Sequence, residues 1–382
     1  MTGVAITGWA LRTPLGDTPD VVLARLLGGE HGATGERGGL LAPVRSEPGK
    51  SRHRRFLPRM ALLGMDVALE AAAHSGLGGG DGDRVGVFAG VGGLHGYWAE
   101  TRPALAGQDN GGGTWQRGFR LLHPFWLLRR LSNNAHALFA AEIEAHGEGM
   151  TFGGRNAGGQ ALVCAQHALE EGAVDVAVVM AYDSLCEPES APELAMRGMT
   201  TSARVSDLRG PYDDGAGGFV PGEAAAAVVL ELPGRAGERG LGRIEASVAA
   251  DGDRAEPAAA TVGRVAGRIS RGEAIVDGVG LANPAFDRAE REAVGAVLGP
   301  RAWLLSTSAS LGQVGAPTAI LQAIVLTEIL RCGTVPPIAA LKRPSPGPLD
   351  PGLHPRATSD RAVLGVSASP PGLACAVRVE LP

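Results

Sequence analysis

The segment PYDDGAGGFVPGEAAAAVVLEL, residues 211–232, decides how the rest of the chain is interpreted. Its first half is rich in glycine, and its second half, Ala225–Leu232, is an apolar run that predicts a buried strand. The sequence PGRAGERGLG follows at residues 233–242, and this composition is typical of a linker. Strands and helices of similar type are predicted on both sides of it. We therefore predict two halves, residues 1–235 and residues 236–382.

Short β-branched apolar runs alternate with amphipathic stretches, which is typical of βα units around a mostly parallel or mixed sheet. The predicted strands are Val4–Ala10, Arg84–Val91, Asp175–Asp183, Ala225–Leu232, Ala274–Val279, Trp303–Thr307 and Leu373–Leu381. The predicted helices are Pro19–Leu27, Met60–His74, Gly158–Glu171, Asp287–Leu298 and Thr318–Arg331. The tract Arg343–Pro355 predicts an exposed loop before a final hairpin. The fold class is therefore α/β, with helices on both faces of the sheet.

The composition argues against several classes of protein. The chain has 382 residues and a net charge of −5, and no apolar run approaches the roughly 18 residues of a membrane span. We expect a cytoplasmic protein, because the N-terminus shows no signal-peptide pattern. The charge and the lack of a long basic stripe argue against nucleic acid as a partner. The four cysteines form no CxxC pair and no nucleotide-binding glycine motif occurs, so we expect neither a metal nor a cofactor.

Several motifs resemble those of the β-ketoacyl synthases of the thiolase-like superfamily, in the same order along the chain. The most specific resembles the family signature PFD…GFVxGEG, with Tyr212 in place of the Phe and Ala224 in place of the last glycine. The motif residues retained here include Gly218, Phe219, Gly222 and Glu223. The resemblance implies a thiolase fold, in which two related halves form a five-layer αβαβα sandwich.

The resemblance also implies where the reactive residues of an active synthase would lie. Such an enzyme uses a Cys nucleophile at a helix N-terminus, two His that stabilise a carbanion, and a Lys. The corresponding positions here carry Arg155 or Asn156, Val279, Gln313 and Ser308. No small shift of the alignment restores the set, because the chain has no His between His167 and His354. We therefore predict that the family's catalytic residues are absent.

Retained fold motifs with every reactive position replaced resemble the chain length factor of type II polyketide synthases. The resemblance implies a cytoplasmic pseudoenzyme that forms a heterodimer with an active ketosynthase, helps to shape the acyl tunnel and sets polyketide chain length. It also implies an acyl carrier protein as a second partner. Chain length factors characteristically have Gln at the nucleophile position, so Arg155 or Asn156 is a departure from that pattern.

Seven of the sixteen aromatic residues lie between residues 97 and 139. In the family this stretch forms the dimer interface and the wall of the acyl tunnel. The candidates for these roles are Trp115, Phe119, Phe125 and Trp126, with ordinary core packing as the alternative. The cluster KSRHRR at residues 50–55 is interpreted as a solvated loop or as a docking patch for an acidic carrier protein.

Two other functions remain open at this point. The first is an acyltransferase of the same fold that uses Cys164, Ser308 or a His of the first half, such as His136, His146 or His167. The second is a non-catalytic scaffold for carrier proteins.

Overall fold

The computed structural model describes residues 3–36, 39–78, 82–93, 97–106, 118–154, 156–250, 258–369 and 372–382. The strands are β1 Val4–Arg12, β2 Val85–Val91, β3 Met150–Gly153, β4 Val176–Ser184, β5 Glu223–Glu231, β6 Gly242–Ala250, β7 Ile275–Asp277, β8 Trp303–Leu305, β9 Thr334–Val335, β10 Asp350–Pro351, β11 Arg356–Ala357, β12 Ala362–Ser369 and β13 Leu373–Glu380. The α-helices are α1 Pro19–Leu27, α2 Arg59–Ser75, α3 Tyr97–Ala106, α4 Trp126–Arg129, α5 Asn134–Glu142, α6 Ala157–Glu170, α7 Ser190–Met196, α8 Pro233–Ala236, α9 Ala258–Ile269, α10 Pro284–Leu298, α11 Thr307–Leu311 and α12 Thr318–Cys332.

The strand order repeats within the chain. The first five strands lie in the order β3-β2-β4-β5-β1, and the later strands lie in the order β8-β7-β12-β13-β6. In the first set, β2 is parallel to β3 and β4, and β5 is antiparallel to β4 and β1. In the second set, β7 is parallel to β8 and β12, and β13 is antiparallel to β12 and β6. A short antiparallel pairing of β1 with β6 joins the two sets. The chain is therefore built from two related halves.

The helices form three layers around these sheets. Helix α2 packs on the outer face of β1, β4 and β5, whereas α9 packs on the outer face of β6 and β13. Helices α6 and α12 pack against each other between the two halves. Nearly every residue of α12 from Ala319 to Leu330 is buried, as expected for a helix of a middle layer. The predicted αβαβα sandwich is confirmed.

Two predictions about connections need correction. The tract Arg343–Pro355 is not simply an exposed loop, because it contains β10 and buries Ser345 and Leu349. The segment 233–242 contains α8, and the guanidinium of Arg239 pairs with the buried carboxylate of Glu231 at 2.7 Å. The predicted boundary at residues 235/236 falls inside α8 and stays a prediction.

Within the described residues, no helix is both long enough and apolar enough to cross a membrane.

Candidate functional site

A narrow cavity lies where the N-terminus of α6 faces the second half of the chain. Asn156, Val279 and Gln313 line this cavity together with Phe219 and Ser367. Three positions predicted to correspond to reactive residues, far apart in sequence, therefore meet at one site. Arg155 and Trp115 lie outside the described residues.

Asn156 stands at the first turn of α6 in a left-handed conformation, with φ at +63°. Asn tolerates this conformation better than most residues with a side chain. Its buried amide donates to the carbonyl oxygens of Ser367 and Leu373 at 3.3 and 3.4 Å, and its Oδ1 accepts from the Ser367 hydroxyl at 2.9 Å. The side chain therefore ties α6 of the first half to β12 and β13 of the second.

Gln313 and Ser308, also predicted to correspond to reactive residues, bind the turn that follows β7. The Gln313 amide donates to the carbonyl oxygens of Val279 and Gly280 at 2.9 and 3.0 Å. The Ser308 hydroxyl lies 3.0 Å from each of the same two oxygens and 2.9 Å from the Ser306 hydroxyl. The side chains of Gln313 and Ser308 thus hold the backbone turn at Val279 and Gly280.

Buried carboxylates hold the same turn from behind. Glu290 accepts from the amides of Val279 at 2.6 Å and Gly280 at 3.3 Å, and Asp287 accepts from the amide of Leu281 at 3.0 Å. Burial raises the pKa of Asp287 to about 6 and that of Glu290 to about 8, the latter with a further contribution from the charge of Asp287. Asp277, at the end of β7, also has its pKa raised to about 6 by burial.

Comparison with known proteins relates this fold to a protein family. Residues 47–234 match the family model described as the N-terminal domain of β-ketoacyl synthases. This part of the chain belongs to the β-ketoacyl synthase family. A solved β-ketoacyl synthase from Burkholderia phymatum STM815 has a TM-score of 0.86 and 19% identity, with 100% of both chains covered. The ishigamide ketosynthase/chain length factor has a TM-score of 0.86 and 20% identity, covering 100% of this chain and 99% of the other. At these identities the structural likeness shows the same fold.

Of the signature residues Gly218, Phe219, Gly222 and Glu223, only Phe219 lines the cavity. Gly218 has φ at +111° and passes so close to Thr200 that a Cβ would lie 2.6 Å from its carbonyl carbon. Gly222 passes equally close to the carbonyl oxygen of Leu311. The carboxylate of Glu223 accepts from the Ser184 hydroxyl at 2.8 Å and from Arg59 at 2.8 Å. These contacts place Phe219 in the cavity lining.

Three of the four cysteines of this ketosynthase-fold chain, Cys164, Cys186 and Cys375, are buried or partly buried, which disfavours the nucleophilic thiolate. Burial is the main cause that raises the pKa of each buried or partly buried thiol: that of Cys164 is raised, and those of Cys186 and Cys375 reach about 12. None of the three belongs to the cavity lining. His136 interacts with the Thr151 hydroxyl, and burial lowers its pKa. Among the described residues, no His lines the cavity.

The aromatic candidates lie in different environments. Phe119 is 60% exposed, whereas Phe125 packs edge-on against Phe56 with ring centroids 4.9 Å apart. Trp126 is half-buried, 6.4 Å from the ring of Tyr97. Core packing therefore does not account for the whole stretch.

The sequence pattern did not show that Glu100 ties α3 to α4, accepting from Arg129 and Arg130 at 2.6 Å each.

The basic cluster at residues 50–55 is not a free loop. Residues 52–55 form a 3₁₀ turn, and the guanidinium of Arg52 pairs with Glu142 at 2.5 Å. The carbonyl oxygen of Arg54 accepts from Arg129 at 3.0 Å, and the guanidinium of Arg55 lies 4.6 Å from the centre of the Phe56 ring. The turn therefore fastens α4 and α5 to the body of the protein.

Proposed function

We propose that this protein is a catalytically degenerate ketosynthase-like subunit that pairs with an active ketosynthase and helps to set polyketide chain length. The observation that carries the proposal is that Asn156, Val279 and Gln313, which are predicted to replace the family's reactive residues, line one cavity. An amide nitrogen is not basic and Val has no titratable group, so this set cannot form an acyl-enzyme or stabilise a carbanion by proton transfer. The side chains of Asn156 and Gln313 instead hold backbone groups in place.

A partner subunit is supported by the distribution of exposed apolar side chains. Of the fourteen large apolar side chains that are exposed among the described residues, eight lie between residues 97 and 131. They are Tyr97, Trp98, Leu105, Phe119, Leu121, Leu127, Leu128 and Leu131. We call this set the α3–α4 surface. Exposed apolar groups concentrated in this way are typical of a subunit interface.

The choice of partner follows from the comparisons. One structure that shares the fold over the whole chain is named as a ketosynthase/chain length factor. We therefore propose that an active ketosynthase covers the α3–α4 surface, with an acyl carrier protein delivering the growing chain to the active partner. This arrangement requires no reactive group from the present chain, because the partner supplies the Cys and the two His.

Reconstitution with an active ketosynthase tests the proposal. The ketosynthase, carrier protein and malonyl donor are incubated with and without this chain, and product length and yield are measured. We expect the longer, defined product only when both subunits are present. Equal product length and yield in the two reactions would refute the proposal.

Asn156→Cys is expected not to restore acylation. The new thiol would be buried, which raises its pKa, and no described His lies in the cavity to take up its proton. Loss of the Asn156 hydrogen bonds should also lower the free energy of unfolding by about 1–3 kcal/mol. Intact-mass spectrometry after incubation with an acyl carrier protein checks the first point, with Asn156→Ser as the matched control. A stoichiometric acyl adduct on the Asn156→Cys variant, absent from the Asn156→Ser variant, would contradict the expectation.

Trp126→Ala is expected to lengthen the product of the reconstituted pair. The half-buried indole lies beside Tyr97 and between the exposed side chains of the α3–α4 surface, so removing it enlarges the space available to a chain at that surface. Trp303→Ala, the same truncation of a half-buried Trp in the other half, is the control. Product length is measured by mass spectrometry, and an unchanged distribution for Trp126→Ala would exclude this indole as a length determinant.

No observation favours the acyltransferase alternative. The Ser308 hydroxyl is engaged with the carbonyl oxygens of Val279 and Gly280, and the pKa of Cys164 is raised rather than lowered. A Ser or Cys nucleophile needs an adjacent base or a lowered pKa.

A further inference from the structure

The backbone turn at Val279 and Gly280 forms part of the cavity wall, and its amide groups depend on one buried carboxylate. Both amides donate to Glu290, and the Tyr212 hydroxyl lies 3.0 Å from the same carboxylate. Tyr212 does not line the cavity, and its hydroxyl is hydrogen-bonded to one side chain that holds the turn, that of Glu290. We infer that Tyr212 and Glu290 form a proton-sharing pair that positions this turn, so that the cavity wall responds to pH.

The surroundings of Tyr212 are built around its hydroxyl. Its ring is buried and its φ is +64°, a strained value for a residue with a side chain. The backbone holds it there, because its amide donates to Asp287 at 2.9 Å and its carbonyl accepts from the Ser345 amide at 2.8 Å. A Cβ on Gly278 would lie 2.1 Å from the hydroxyl oxygen, so a glycine is needed to leave room for it. The family signature that the sequence resembles has Phe at this position, which lacks the hydroxyl.

The charges around Glu290 explain why it can retain a proton. Two titratable groups act on it, Asp287 on its own helix and Tyr212 opposite, and the charge of Asp277 at the end of β7 acts on Tyr212. The guanidinium of Arg291, the next residue of the helix, points to the carbonyl oxygens of residues 345–349 instead. Burial and the charge of Asp287 therefore raise the pKa of Glu290 to about 8. In the neutral form, the carboxyl O–H can donate to the Tyr212 oxygen while the other oxygen accepts from the Val279 amide.

The direction of the pH effect follows from linkage. A hydrated Glu290, in an opened or unfolded turn, has a pKa near 4.5, whereas the buried one has a pKa of about 8. The carboxyl of Glu290 therefore stabilises the closed turn at low pH, and this stabilisation is lost as pH rises from about 4.5 to about 8. In that range the opening equilibrium constant should increase by nearly tenfold per pH unit. Asp277 and Asp287, with pKa values of about 6, contribute to the pH dependence of opening mainly below pH 6. Between pH 6 and pH 8 the dependence comes mainly from Glu290.

Hydrogen exchange of the Val279 and Gly280 amides in the full chain, followed between pH 6 and pH 8, tests the inference. After correction for intrinsic exchange, we expect protection to fall by nearly tenfold per pH unit. Glu290→Gln should make protection independent of pH over this range. Glu292→Gln, an exposed change on the same helix, should leave the fall unchanged. A fall that persists in Glu290→Gln would overturn the inference.

Tyr212→Phe separates a positioning role from a purely structural one. The ring is kept, and only the hydroxyl that stabilises the ionised carboxylate of Glu290 is removed. The pKa of Glu290, and with it the midpoint of the pH dependence of protection, should therefore rise by about one unit. Glu290→Gln/Tyr212→Phe should behave like Glu290→Gln alone. A midpoint unchanged in Tyr212→Phe would show that the hydroxyl does not act through Glu290. Neither result depends on the proposed pairing with a ketosynthase, because the measurement is made on this chain alone.

Discussion

Arg291→Ala should lower the free energy of unfolding by about 4 kcal/mol, the largest effect expected for a single substitution in this chain. The guanidinium is buried and donates to the carbonyl oxygens of Pro348, Ser345, Gly347 and Leu349 at 2.5–2.9 Å. Truncation would leave four backbone acceptors buried without this donor, and each such loss costs about 1–3 kcal/mol before relaxation. Chemical denaturation monitored by circular dichroism measures the change.

Arg288→Ala is the matched control, because Arg288 lies on the same helix and is exposed. We expect a change within about 0.5 kcal/mol for this variant. Arg291→Lys should recover only part of the loss, since one ammonium group cannot reach acceptors on both sides of a planar guanidinium. Equal stability of the Arg291→Ala and Arg288→Ala variants would show that Arg291 does not organise residues 345–349.

A Leu127→Asp/Leu128→Asp variant should weaken pairing with the proposed ketosynthase by at least about 100-fold, which corresponds to about 3 kcal/mol. The two side chains are 70% and 42% exposed on the α3–α4 surface, so the isolated chain loses little packing when they change. Burying two carboxylates without partners in an apolar interface is strongly unfavourable. Analytical ultracentrifugation of the mixed subunits measures the dissociation constant.

Leu353→Asp provides the control for this pairing experiment. Leu353 is 42% exposed, like Leu128, but lies in the other half of the chain. Its substitution should leave the dissociation constant unchanged. If the α3–α4 double variant paired as tightly as the Leu353→Asp variant, the partner interface would have to lie elsewhere.

The elements predicted from the sequence are those whose residues carry a strong local pattern. The helix Pro19–Leu27 has the predicted bounds, and the strand predicted at Asp175–Asp183 is Val176–Ser184. Strand β6 was not predicted, because Arg243, Glu245 and Ser247 interrupt its apolar residues. Its pairing with β1 on one side and β13 on the other, both distant in sequence, stabilises it instead. Helix α9 was also missed, although Val262, Val265, Ala266 and Ile269 follow helical spacing and the helix packs against β6 and β13.

The candidate site was predictable only as a set of substitutions. The order of motifs along the chain predicted that Asn156, Val279, Gln313 and Ser308 replace reactive residues, while the choice between Arg155 and Asn156 stayed open. The structure places Asn156 in the cavity lining, and Arg155 is not described. No sequence signal indicated that Glu290 and Tyr212 support the same turn, apart from the Tyr that stands in the signature where Phe is usual.

The sequence by itself indicated the family and the two-half αβαβα fold, and it predicts the replacement of the reactive residues, because these follow from residue identity and order. Only the tertiary structure decided what the replacements do. Asn156 meets Ser367 across 211 residues, and Gln313 meets Val279 across 34. Hydrogen bonds depend on distances of about 3 Å and on direction, and the packing of α6, β7 and β12 from separate parts of the chain sets both.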